Sequence, residues 1–309
     1  MPLKLLSVLE MPERVADRFR ARTSLVQGRL EDAADVQPDA ILCSIGPRRF
    51  DREVIRNLPA SVKAIATYSV GYDHIDLQAA ADRGIAVFNT PGVLSDAVAD
   101  AALLLILGAA RRATESIALL REGRWTGWSP AQLVGEGLSG KTLGIFGMGN
   151  IGRRVASRAR AFGMRLAYHG RSKVVGEDAL FYPDPRALIA DCDIAVLAWP
   201  STPETRYFIA ADTLCLAKPS LILVNIGRGD LVKDEDLIAA LRDGKILAAG
   251  LDVFDNEPQI HPGYLDLPNA FLLPHIGSST WEARLAMADV LLDALEAHAG
   301  GGQPHNRIA

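Results

Sequence analysis

The stretch KTLGIFGMGNIGRRVASRARAFGM sets Gly147, Gly149 and Gly152 immediately after an apolar, strand-like run and at the opening of a helical pattern. Three glycines at this spacing have separate uses. The first permits a tight turn, the second lets a bulky anion approach the backbone, and the third lets helix and strand pack closely. The helix N-terminus that follows offers unsatisfied N–H groups and a positive dipole end. A glycine triplet alone is a weak signal. Here strand, glycines, helix and a second apolar run, MRLAYH, stand in the order a dinucleotide-binding βαβ unit requires. The residues facing a pyrophosphate would be Gly147, Gly149, Asn150, Ile151 and Gly152.

The rest of the chain repeats this alternation. LKLLSVL, SLVQG, AILCSI, KAIATYSV and IAVFN occupy the first hundred residues. KTLGIFG, MRLAYH, DIAVLAW, LILVNIG, LAAGLDV and AFLLPHIG follow. Apolar strands separated by helix-length segments predict α/β architecture with parallel sheets covered on both faces. Eleven strands are too many for one ordinary open sheet, so two Rossmann-like, doubly wound domains with an interdomain cleft are expected. A long helix near residues 94–112 and another in STWEARLAMADVLLDALEAHAG would carry the chain between them. This gives a discontinuous domain, 1–96 plus 284–309, around a continuous one, 97–283.

Composition narrows the partners. A hydrophobic fraction of 49% with 23% charged residues suits a globular chain, and a formal charge of −4 gives no electrostatic reason to bind nucleic acid or an anionic membrane. The N-terminus has no apolar signal segment, and AVADAALLLILGAARR is too short to span a bilayer. Cys43, Cys192 and Cys215 form no paired motif and each lies in or beside an apolar run. They read as buried free thiols of a soluble, cytoplasmic protein. No Cys/His cluster suggests a metal, and no G-x-S-x-G suggests a serine hydrolase.

The end of the second strand of the glycine unit reads YHGRSK. An acid at this place holds the ribose hydroxyls of NAD, and would repel a 2′-phosphate. His169 stands there instead, with Arg171, Ser172 and Lys173 as donors. Arginine meets phosphate oxygens with a rigid planar fork. The cofactor expected is therefore NADP(H), with NAD(H) as the alternative.

Three further stretches, VNIGRGDLV, GLDVFDNEP and LLPHIGSST, each close a predicted strand. They bring Arg228, Asp252, Glu257 and His275 to the sheet edge where α/β proteins bind ligands. Arg228 can clamp a carboxylate, His275 can give a proton to a carbonyl oxygen, and Glu257 can orient the imidazole and favour its charged form. That set suits hydride chemistry on a 2-oxo acid.

These motifs, together with SVGYDHIDLQAAADRGIAVFNTPGVLSDAVADAALLLIL and STPETRYFI, resemble the D-isomer-specific 2-hydroxyacid dehydrogenase family, and within it the glyoxylate/hydroxypyruvate reductase branch. The resemblance runs from about residue 40 onward. It implies catalytic roles for Arg228, Glu257 and His275. It implies that the N–H groups of Val70 and Gly71, with Arg228 and His275, bind the substrate. It also places Pro200, Ser201, Thr205, Ile226, Gly227, Arg228, Asp252, His275 and Gly277 along the cofactor, with Asp252 at the nicotinamide carboxamide. It implies a homodimer using helix 94–112 and REGRWTGWSPAQLVGEG. The expected activity is NADPH-dependent reduction of glyoxylate and hydroxypyruvate. The alternatives are an NAD-dependent enzyme of D-lactate, phenylpyruvate or phosphoglycerate type, and a dinucleotide-sensing interaction protein.

Overall fold

The computed structural model describes residues 2–46 and 49–309. They form two units, one running to Leu94 and completed by Ser279–Ala309, the other being the continuous Ser95–Ser278. In the first unit, β1 (Lys4–Ser7), β2 (Ser24–Gln27), β3 (Ala40–Cys43), β4 (Ala64–Thr67) and β5 (Ala86–Phe88) form one sheet in the order β2-β1-β3-β4-β5. The second unit has seven strands. These are β6 (Thr142–Phe146), β7 (Arg165–His169), β8 (Leu180–Phe181), β9 (Ile194–Leu197), β10 (Ile222–Asn225), β11 (Ala248–Leu251) and β12 (Ala270–Leu272), in the order β12-β11-β10-β9-β6-β7-β8. Every strand pairing is parallel. Each sheet is therefore an α/β sheet of the expected class.

Sequence and burial agree for a simple reason. Parallel strands are covered on both faces, so they cannot alternate polar and apolar residues. Every residue of β3, β4, β9, β10 and β11 is buried. The helix Asn150–Ala161 shows the opposite pattern. It buries Gly152, Val155, Ala156 and Ala159, one stripe at helical spacing, and leaves its arginines outside. That stripe packs on β6, β7 and the helix Ser95–Ala110, while Arg158 reaches Asp100 at 2.5 Å and Asp96 at 3.0 Å. In the first unit, helix Trp281–Ala299 lies against Glu13–Arg20.

The strand order fixes where a ligand can sit in the second unit. The chain builds β6, β7 and β8 in one direction, then returns to the other side of β6 for β9 and continues outward to β12. The reversal between β6 and β9 opens a crevice at the strands' carboxyl ends.

Two features differ from the sequence reading. Strand β8 has only two residues, and Leu180 is 62% exposed, so no apolar run announces it. Cys215 is exposed rather than buried. It caps the short helix Ala211–Leu214, whose Thr213 and Leu214 face inward, and its Sγ contacts the Asp212 carbonyl at 3.0 Å. Cys43 and Cys192 are buried, and burial pushes both thiols up to about 12. Among the described residues, no helix is long and apolar enough to cross a membrane.

Candidate active site

Arg228 lies just beyond β10, Asp252 directly after β11 and His275 just beyond β12. These strands are adjacent and parallel, so the three turns share one edge of the second unit. Glu257 sits in the loop that leaves Asp252.

The closest pairing there is between Glu257 Oε2 and His275 Nδ1, at 2.6 Å. The other Glu257 oxygen accepts the Phe254 N–H at 2.8 Å, so the carboxylate is held at both ends. Burial alone would raise the Glu257 carboxyl. The His275 hydrogen bond and charge, the Phe254 N–H and the Arg228 charge outweigh it and hold the group below the ordinary glutamate range. The side chains of His275 and Glu257 are 38% and 27% exposed, so a small solute can reach the pair. Because Nδ1 faces the carboxylate, Nε2 is the ring atom left for chemistry.

His275 adopts a φ of 53°, the left-handed region that a non-glycine residue enters only under constraint. The constraint is Asp252. Its carbonyl accepts the His275 N–H at 2.8 Å, and its two carboxylate oxygens accept the N–H groups of Ile276 at 2.7 Å and Gly277 at 2.8 Å. Asp252 is 2% exposed. Burial pushes its carboxyl above the usual range despite the two amide donors, which pull the other way.

Arg228 is positioned by a residue the sequence reading passed over. Asn225, the fully buried last residue of β10, donates to the Arg228 carbonyl at 2.8 Å and accepts the Gly227 N–H at 3.1 Å. The guanidinium folds back on the Gly227 carbonyl at 2.8 Å. Gly229 is obligatory next to it, because a Cβ there would stand 1.8 Å from the Phe254 carbonyl carbon. The Arg228 turn is thereby pressed onto the Phe254–Asp255 peptide, which follows the Phe254 N–H that holds Glu257. Asn225 and Gly229 carry no motif signal beyond following a strand, so the sequence alone does not mark them.

The glycine turn fits a dinucleotide phosphate. Gly149 caps the helix Asn150–Ala161 with no side-chain bond across the helix end, and the space where its Cβ would stand is open for 4 Å. Gly152 must be glycine, since a Cβ would lie 2.1 Å from the Gly147 carbonyl oxygen. Asn150 and Ile151 open the helix. The turn adjoins the charged segment, because the Gly147 N–H donates to the His169 carbonyl at 2.9 Å. There the His169 ring is fixed. Its Nδ1 donates to the Tyr182 carbonyl at 2.9 Å, and the ring meets Trp199 edge-on at 5.5 Å. Arg171, Ser172 and Lys173 are exposed, and the loop is tied down after them by the Val174 N–H bonding the Tyr168 hydroxyl at 2.7 Å.

The remaining candidates are less free than a motif suggests. Beyond β9, Ser201 donates to Asp230 at 2.8 Å, and Thr205 donates to the Pro200 carbonyl at 2.8 Å. Both hydroxyls therefore serve the turn itself. Ile226 and Gly227 lie in the turn that Asn225 holds. Val70 and Gly71 belong to the first unit, in the loop after β4, and are half-buried.

The depressed Glu257 carboxyl has a consequence for stability. A carboxyl whose folded-state affinity for protons is reduced adds stability above its unfolded pKa and loses it as the pH falls through the folded value. The stability difference between wild type and Glu257→Gln should be flat near neutrality and shrink below about pH 4.5. Urea titrations at a series of pH values measure it, and a difference that stays constant into strong acid would contradict the pairing.

Residues 103–277 match the family model for the D-isomer specific 2-hydroxyacid dehydrogenase, NAD binding domain. A glycerate dehydrogenase of Hyphomicrobium methylovorum is 44% identical over 276 residues, 88% of this chain and 85% of that protein. A glyoxylate reductase of Thermococcus litoralis is 45% identical over 267 residues, 84% of this chain and 80% of its own. The NADPH-dependent glyoxylate/hydroxypyruvate reductase of Sinorhizobium meliloti, solved with NADP and malonate, superposes with a TM-score of 0.87 at 34% identity, covering 100% of this chain and 97% of that one. With more than half its length matched by the family model and relatives this similar over most of the rest, the chain belongs to the D-isomer-specific 2-hydroxyacid dehydrogenases, oxidoreductases that bind a nicotinamide dinucleotide.

Proposed function

We propose that the protein reduces small 2-oxo acids, glyoxylate and hydroxypyruvate foremost, to D-2-hydroxy acids with NADPH. The observation that carries the reading is the 2.6 Å His275–Glu257 pair beside Arg228 at the carboxyl ends of adjacent strands. The relatives named glyoxylate reductase and glycerate dehydrogenase support the substrate class.

In this mechanism Arg228 binds the substrate carboxylate with its planar fork and polarises the neighbouring carbonyl. The N–H groups of Val70 and Gly71, in the first unit, are proposed as further carboxylate donors. When bound, the reduced nicotinamide supplies the hydride. His275 delivers the proton from Nε2 to the carbonyl oxygen as charge develops on it. Glu257 keeps the ring oriented and remains ionised, because its carboxyl is held below the ordinary range. Asp252 fixes the backbone that carries His275, and is proposed to meet the carboxamide with lone pairs its two amide donors leave free. Pro200, Ser201, Thr205, Ile226, Gly227 and Gly277 would line the cofactor, with the pyrophosphate on Gly147, Gly149, Asn150, Ile151 and Gly152.

NADPH is preferred in this reading because the β7 end carries no acid and presents Arg171, Ser172 and Lys173 outward. The homodimer is proposed from a run of exposed apolar side chains along one segment: Leu104 47%, Leu120 62%, Trp125 53%, Trp128 83% and Val134 67%. Sedimentation should then give twice the 33.2 kDa chain mass, and a species of single-chain mass would overturn this.

Absorbance at 340 nm with glyoxylate, hydroxypyruvate, pyruvate and phenylpyruvate tests the activity. His275→Ala should lower kcat by about 10²–10⁴-fold with cofactor binding little changed. Turnover of His275→Ala within a few-fold of wild type would remove His275 from its role. For the cofactor, a hydrogen bond to a charged group contributes about 1.5–3 kcal/mol, and exposure holds Arg171 near the lower figure. Arg171→Ala should weaken NADPH about tenfold and leave NADH nearly unaffected. Equal weakening of both cofactors, or a wild type that prefers NADH, would refute the assignment.

A further inference from the structure

The loop after β4 is held from behind by two buried polar chains. In the first, Ser69 Oγ donates to the Gly71 carbonyl at 2.6 Å. A carbonyl only accepts, so the single hydroxyl proton of Ser69 is committed there. Thr67 Oγ1, 2.7 Å away, must then donate to Ser69, and must itself accept from His74 Nε2 at 3.1 Å. The direction is forced along the whole relay, and His74 carries its proton on Nε2. In the second chain, Asn306 Nδ2 donates to the Asn89 carbonyl at 2.8 Å, and Asn89 Nδ2 donates to the Val70 carbonyl at 2.9 Å. The Thr90 N–H takes the Ser69 carbonyl at 3.1 Å. Thr67, Ser69, His74, Asn89 and Asn306 are all buried, none more than 7% exposed.

Three consecutive carbonyls, of Ser69, Val70 and Gly71, are thus engaged on one side. In a trans peptide the C=O and the following N–H point in opposite directions. The N–H groups of Val70 and Gly71 are therefore turned away from the buried network. Among the described residues neither has a hydrogen-bond acceptor. Paired carbonyls beside unpaired, half-buried N–H groups make a preorganised anion cradle.

We infer that Ser69, Asn89, His74 and Asn306 are positioning residues that fix the Val70 and Gly71 amides for a carboxylate ligand, so that the segment containing Asn306 supports substrate binding without touching substrate. The inference rests on the reading that these two amides receive the substrate carboxylate. Asn89 governs the Gly71 N–H, because it holds the other end of the same peptide. Asn306 governs Asn89. Ser69, backed by Thr67 and His74, fixes the peptide that leaves Gly71.

The test measures oxalate binding to the NADPH-loaded protein, with steady-state kinetics on glyoxylate. Asn89→Ala and Ser69→Ala should each weaken oxalate and raise KM by about tenfold, the loss expected when a pinned donor becomes free to rotate, with kcat changed much less. NADPH affinity, measured separately, should stay at the wild-type value. Ser69→Thr restores the hydroxyl and should restore oxalate binding, which a purely structural defect would not allow. Asn306→Ala should give a smaller loss of the same kind. Gly71→Pro deletes one donor outright and separates the two readings. If it leaves oxalate binding intact, the carboxylate does not bind at this loop. If it weakens oxalate while Asn89→Ala and Ser69→Ala bind like wild type, the positioning role is wrong. Should Asn89→Ala fail to fold, the Ser69 pair decides the question alone.

Discussion

The His275 turn depends on one buried carboxylate. An ionised group removed from water is stabilised only when hydrogen bonds replace its hydration. Asp252 meets that demand with the N–H groups of Ile276 and Gly277, while its own carbonyl takes His275. Three successive amides can converge on one residue only if the chain curls, and the curl is what places His275 at a φ of 53°. The 2.6 Å bond to Glu257 follows from that placement. Glu257 is meanwhile set from its own side by the Phe254 N–H, and Gly229 brings the Arg228 turn onto the next peptide, Phe254–Asp255.

The same device recurs at other strand ends. Asn225 ends β10 and holds Gly227 and Arg228. Asn89 follows β5 and holds the Val70 carbonyl. In each case a buried polar side chain at the carboxyl end of a strand grips the backbone of a neighbouring turn. The group proposed to meet ligand therefore belongs to a turn, while its rigidity comes from the sheet. This reconciles two needs, since turns can project functional groups but are the least constrained parts of a fold.

The class of fold was legible because parallel strands buried on both faces leave continuous apolar runs, and AILC, IAVL and ILVN show them plainly. Strand β8 was not, because two residues at a sheet edge bury too little to leave a pattern. Arg228 and His275 could be picked out because such residues just after apolar strands are conspicuous, and Glu257 because it follows in the loop leaving β11; the structure gathers these turns at one edge. Asn225 and Gly229 could not, since their work is a hydrogen bond and a close approach to Phe254, both of which exist only in three dimensions. Cys215 was misread because apolar neighbours in sequence do not fix which side of a short helix a residue faces.

The division of the first unit also orders events during synthesis. Its sheet is laid down before residue 95, yet helix Trp281–Ala299 and the buried Asn306 are made only after the whole of Ser95–Ser278. The continuous second unit can collapse as soon as it emerges, and domains do generally fold as units from the N-terminal side. The earlier-made strands meet their C-terminal partners late: the surface facing Trp281–Ala299 stays uncovered, and the Asn89 carbonyl lacks its Asn306 donor, until that segment pairs beside β5. The chain order thus separates the two halves in time: the residues of Ser95–Ser278 are all made before the first unit has its last helix.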